Sequence, residues 1–207
     1  MRDFAEQKFL PSELPAEILK LSWLLGNWEG SGQISYPGEK EINFAQQIRF
    51  ETDGSAAIKF ASAIWELNSD FSAEEKILSE VGFWKLNQEE NVEVALSQSS
   101  QISEIWTGFV EVLQIVDAQI TSARARIVTD LSAAAPSSEG IIKGDRLYAL
   151  MNGELLWTYD KSTKAVPLKN YLWARLSPIS YDQYLESQAT QKPARSYTLP
   201  KPPGQES

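Results

Sequence analysis

The sequence predicts an all-β fold: a closed antiparallel β-barrel of about ten strands with a short capping helix at its N-terminal end. Three observations carry that expectation. From Trp28 onward, apolar and polar residues alternate with a period of two in successive short runs, the pattern of strands with one buried face. Short polar loops separate the runs, among them Asn152-Gly153, a pair that favours a two-residue hairpin. The first run, "GNWEGSG", sets Gly26, Trp28, Gly30 and Gly32 on one face. A strand so poor in side chains on one side can bend as tightly as the wall of a small barrel requires.

The elements follow in order. "SELPAEILKLSWLL" offers Ser12 as an N-cap, Pro15 in the first turn and an apolar stripe of Leu14, Ile18, Leu21 and Leu25 at helical spacing. It is the only strong helix signal in the chain. "INFAQQIRF" then alternates Ile42, Phe44, Ile48 and Phe50 against Asn43, Ala45, Gln47 and Arg49, with Gln46 as a polar break in the apolar row. Further strands are read at "SAAIKFASAIWEL", "ILSEVGFWKL", "VEVALSQ", "SEIWTGFVEVLQIV", "SARARIVTDL", "RLYALM", "ELLWTYD" and "YLWARL". Five of the ten prolines fall after Leu176 and all seven tryptophans before it. The expected organisation is an N-terminal segment and helix over residues 1–22, a barrel over 23–176 and a loosely attached tail over 177–207, with one helical turn at "YDQYLES".

Composition excludes several functions. The chain has no cysteine, so it has neither disulfides nor a thiolate metal site. It has no histidine, which removes the commonest metal ligand, the commonest general base and the imidazole-based triads. The net charge of −9 with scattered basic residues argues against nucleic acid and against anionic membrane surfaces. No run approaches the roughly 20 apolar residues of a membrane helix. The N-terminus is charged where a signal peptide is apolar, so a cytoplasmic location is expected. Paired carboxylates at Glu74 and Glu75, and at Glu89 and Glu90, read as solvated charges in polar connections. Ser137 and Ser138 in "AAAPSSEG" lack a base and read as loop residues. Met151, beside the Asn152-Gly153 turn, reads as a hairpin end rather than a ligand.

"GNWEGSG" fits the G-x-W-x-G-x-G motif of the nitrobindin family, small haem-binding β-barrels similar in fold to fatty-acid-binding proteins. "FAQQIRFETDGSAAIKFASAIWEL" resembles that family's second and third strands, "SEVGFWKL" its S/A-E-x-G-Y-W-R segment and "VPLKNYLWARL" its last strand, so the resemblance spans about residues 20–176 in order. In nitrobindins the last strand reads H-L-x-A-x-L. The resemblance implies that this histidine ligates haem iron, with nitric oxide binding and peroxynitrite isomerisation following from it. Here the stretch is Tyr171, Leu172, Trp173, Ala174, Arg175 and Leu176, so a tyrosine stands where the ligand would be.

A tyrosinate can ligate ferric haem, but with a free pKa near 10 it needs a cation to help it ionise. Arg175 lies four residues on, about 13 Å along the strand. Arg124, Arg126 or Arg146 on a neighbouring strand are the other candidates. Tyr171 faces either the interior or, with Trp173 and Arg175, the outside. The expectation is therefore a nitrobindin-like barrel without haem or any other cofactor or metal, a binding protein more than an enzyme, open to a small apolar ligand. The alternatives are haem held through Tyr171, with peroxynitrite isomerase activity, and a scaffold whose "YTLPKPP" segment is recognised by a partner protein.

Overall fold

Ten strands close on themselves in sequence order. The computed structural model describes residues 14–193 and Tyr197. The strands are β1 (Gly26–Ile34), β2 (Ile42–Glu51), β3 (Ile58–Leu67), β4 (Ala73–Leu86), β5 (Val92–Gln98), β6 (Ile102–Val116), β7 (Gln119–Ala134), β8 (Lys143–Met151), β9 (Glu154–Ser162) and β10 (Lys169–Ile179). Each pairs antiparallel with its neighbours in the chain, and β1 closes the ring against β10 in a register from Asn27↔Ile179 to Ile34↔Leu172. The expected barrel and its hairpins are present. Asn152 and Gly153 both take positive φ (54° and 77°) between Met151 and Glu154, as a type I′ turn requires. Among the described residues, no helix is long and apolar enough to cross a membrane.

The glycines of β1 explain how the ring closes. A Cβ on Gly30 would lie 2.0 Å from the Arg175 carbonyl oxygen, and one on Gly32 would lie 2.0 Å from that of Trp173. The backbone of β10 thus occupies the space a side chain would take at Gly30 and Gly32, whereas a Cβ on Gly26 would meet Trp28 Nε1 at 3.9 Å. Gly82 and Gly108 repeat the device at β4–β5 and β6–β7, with carbonyl oxygens 2.1 and 1.9 Å from the would-be Cβ.

The floor of the barrel is the N-terminal helix, which is a 3-10 helix over Ala16–Leu24. Ile18, Leu21 and Leu24, each fully buried, recur every three residues. That is the 3-10 period, so the inward stripe ends on Leu24 where an α-helical reading selects Leu25. Pro15 occupies the N-cap, and Ser12 lies outside the described residues. Trp28 Nε1 donates to the Leu24 carbonyl at 2.8 Å, which ties the first strand to this floor.

The C-terminal part departs from the expected loose tail. β10 runs to Ile179, and an α-helix, α1 (Tyr181–Thr190), follows. It starts with a capping box in which Ser180 Oγ accepts from the Gln183 amide and Gln183 Oε1 accepts from the Ser180 amide. Its docking on the outside of β2 and β3 gives it the partners its weak apolar stripe lacks. Arg49 lies over the rings of Tyr181 and Tyr184 at 5.2 and 4.8 Å, Ser187 Oγ donates to Gln47 Oε1, and Trp65 Nε1 donates to the Gln191 carbonyl. "YTLPKPP" lies outside the described residues apart from Tyr197.

The seam sets an expected outcome for stability. Gly30→Ala forces a methyl group into the β10 backbone and should cost about 3 kcal/mol or more, whereas Gly38→Ala, in an open turn with nothing within 4 Å of its Cβ, pays only for its left-handed φ. Urea unfolding midpoints of the two variants check the ordering.

Candidate functional site

The inward rows of the strands are not uniformly apolar, and their polar members gather at one level of the barrel. Arg146 on β8 shares its face with Tyr148 and Leu150, and its side chain is 1% exposed. Glu80 on β4, in line with Gly82 and Trp84, meets it with two bonds, Nη2 to Oε1 at 2.7 Å and Nη1 to Oε2 at 3.3 Å. Glu104 on β6 approaches the same Nη2 at 3.8 Å and accepts from Gln98 Nε2 and Trp106 Nε1. Three rings enclose the guanidinium carbon: Tyr159 at 4.5 Å, Trp106 at 4.8 Å and Trp157 at 5.6 Å. Gln46, the polar break in β2, belongs to the same level: it accepts from Trp157 Nε1 at 2.8 Å and donates to Ser62 Oγ at 2.9 Å.

Burial sets the protonation states here. Burial raises the Glu104 carboxyl above its ordinary value, against the pull of Arg146. Burial likewise pushes the Tyr148 phenol up to about 12. Tyr148 stacks on Trp157 with centroids 5.3 Å apart and meets Trp84 edge-on at 5.2 Å.

Above this cluster, toward the barrel end formed by the β1–β2, β7–β8 and β9–β10 connections, lies Tyr171. The β9–β10 register shifts between Asn170 and Leu172, which makes Tyr171 the extra residue of a bulge. Asn170 Nδ2 bonds Asp160 Oδ1 at 2.8 Å and the Leu172 carbonyl at 3.3 Å where the ladder is interrupted. The bulge frees Tyr171 from the alternation of β10, and its half-buried ring packs on the core while Trp173 and Arg175 do not. It meets Tyr159 at 5.5 Å and Tyr36 at 5.7 Å, both edge-on. Lys161 Nζ sits 3.6 Å from the Tyr171 ring centroid and 4.6 Å from that of Tyr36. Burial, with the Glu39 and Glu80 carboxylates, pushes the Tyr171 phenol up to about 12.

The other sequence candidates fall elsewhere. Among the arginines weighed as partners of Tyr171, Arg124 pairs with Glu111 and Arg126 with Asp145 on exposed surface, and Arg175 approaches Glu154. Only Arg146 shares the interior with Tyr171. Glu74 and Glu75 are exposed but lie within β4 rather than in a connection, because that strand begins at Ala73. Glu89 and Glu90 are turn residues, the latter paired with Lys20. Ser138 donates to the Ser100 carbonyl and Ser137 sits beside it in a turn. Met151 is 50% exposed. Sequence reasoning passed over Glu80, Glu104, Lys161, Tyr36 and Tyr159.

An iron centre finds little here. The chain has no imidazole or thiolate, and among the described residues no three acidic side chains gather as metal ligands. Burial raises the pKa of the phenol at the last strand, and an ammonium lies against its ring face. These residues do not fit a haem iron ligated from β10. A groove of about 700 Å³, with Val81, Phe83, Ile105 and Leu131 in its lining, lies along β4–β7.

Residues 17–177 match the model of the THAP4-like, heme-binding beta-barrel domain. The chain is 32% identical over 171 residues to a ferric nitrobindin-like protein of Cutibacterium acnes, covering 81% of this chain and 96% of that one. It is 30% identical over 170 residues to a protein of the same description in Streptomyces griseus, covering 82% and 85%. A peroxynitrite isomerase of a Nocardioides species is 28% identical over 167 residues, covering 81% and 96%. Among solved structures, Rv2717c of M. tuberculosis superposes with a TM-score of 0.72 at 22% identity, covering 80% of this chain and 99% of that one.

The ion cluster sets an expected outcome. Glu80→Leu strands a buried guanidinium and should destabilise the fold by about 3–5 kcal/mol, most of which returns in the Glu80→Leu/Arg146→Met double variant. A double-mutant cycle from denaturant unfolding checks both.

Proposed function

The chain belongs to the nitrobindin family of THAP4-like haem-binding β-barrels, and from that premise we propose that it is a member in which iron ligation has been lost and the barrel end binds a small ligand with an apolar body. The carrying observation is Tyr171. It stands where the family resemblance places the iron ligand, yet its ring is packed between Tyr36 and Tyr159 and its phenol is kept protonated by burial. A ligating tyrosinate needs the reverse, a phenol whose ionisation is assisted by a nearby donor or cation at the oxygen.

What remains at that end is a wall of three tyrosine rings, of which Tyr36 and Tyr159 are each 5% exposed. Aromatic walls with a few fixed polar groups are the usual makings of a small-molecule site. The interior below is filled by Arg146 and its ring partners, so such a ligand is held near the rim.

Ferric haem titration followed at the Soret band tests the reading. The native protein and Tyr171→Phe should show no saturable band, and Tyr171→His should gain a stoichiometric one. A saturable band in the native protein that Tyr171→Phe abolishes would establish tyrosinate ligation instead.

A further inference from the structure

The position of one ammonium indicates what the rim takes. Lys161 is on the inward row of β9, its side chain 16% exposed, and its Nζ lies against the faces of Tyr171 and Tyr36. Its carboxylate partner is Glu39, whose Oε1 lies 3.8 Å from Nζ. Among the described residues, the other cations on aromatic faces are Arg146 in the core, paired with Glu80, and Arg49 and Lys76. Arg49 and Lys76 sit on the outer wall where α1 docks, and each has a polar partner, Glu51 and Gln191 Oε1 respectively.

We infer that the rim is an aromatic cage for small organic cations, formed by Tyr36 and Tyr171 with the carboxylates of Glu39 and Glu139 around it, and that Lys161 is its resident occupant. The inference rests on the reading that this end binds a small ligand, and it names the class. Ring faces attract cations most strongly when they are desolvated, and Tyr36 is almost wholly buried while Tyr171 is half so. The fields of Glu39 and Glu139 reach both Lys161 and Tyr36, which favours a positive guest and opposes an anionic one. Burial pulls the Lys161 amine below the ordinary lysine value despite those carboxylates. A quaternary ammonium, which cannot lose a proton, would bear the same burial without neutralising. The long lysine stem can swing to solvent and leave the cage to a guest.

The test titrates the native protein, Lys161→Met and Lys161→Gln with choline and with its neutral carbon isostere, 3,3-dimethylbutan-1-ol, using tyrosine fluorescence and ligand-observed NMR. Circular dichroism checks that each variant is folded. Removing the resident ammonium should tighten choline binding about tenfold or more, and the isostere should bind about tenfold more weakly than choline. Adding Tyr171→Leu should cancel the gain, while Tyr171→Phe, which keeps a ring face, should preserve it. Equal binding of choline and the isostere would overturn the cage and leave the apolar-ligand reading standing. Absence of binding by both compounds in every folded variant would overturn the two together.

Discussion

The interior of this barrel is organised around the buried guanidinium of Arg146. Arg146 cannot shed its charge, so everything within reach must compensate it: Glu80 by a two-pronged ion pair, Tyr159, Trp106 and Trp157 by their ring faces. Glu104 adds a carboxyl whose pKa burial raises against the pull of Arg146. Apolar side chains of the same volume would often be as stable or more so. What the ion pair does instead is fix the rings that surround it. Tyr159 is one of those rings, and Tyr171 packs on Tyr159, so the arrangement at the rim is inherited from the charge beneath it.

The wall has its own constraint. Ten strands can close only where neighbouring backbones pass within side-chain distance, and Gly30, Gly32, Gly82 and Gly108 supply those passages. One further irregularity, the bulge at Tyr171, breaks the alternation of β10 and turns a residue of the outward row toward the core. Closure and bulge together place the aromatic rim opposite the 3-10 helix, with Trp28 anchoring the floor through the Leu24 carbonyl.

Much of this was legible in the sequence. Period-two alternation located all ten strands and Asn152-Gly153 its hairpin, whereas Gly30 and Gly32, read as relief for bending, make the close seam with β10. Gln46 was visible as a polar break, though not as the bridge between Trp157 and Ser62. Glu80, Glu104 and Arg146 were equally visible, since each shares its row with inward aromatics: Trp84, Trp106 and Tyr148. A charge in an apolar row signals a buried partner, but the partners sit on β4, β6 and β8, and no local pattern pairs them. The helix α1 had a local signature in Ser180 and Gln183 three residues apart. Its apolar stripe is weak because its contacts with β2 and β3 are cationic and polar. The inward turn of Tyr171 was not readable, because a bulge obeys no period.

The central claim is that the ligand position of the last strand is held by a neutral, packed phenol. The most direct measurement is the ionisation of Tyr171, followed through its Cζ resonance in protein labelled with ¹³C-tyrosine and assigned with Tyr171→Phe. The expected result is a phenol that stays protonated beyond the ordinary tyrosine value and ionises at about 12. Ionisation below the ordinary value of about 10 would mean that the rim stabilises a tyrosinate, and would contradict the account.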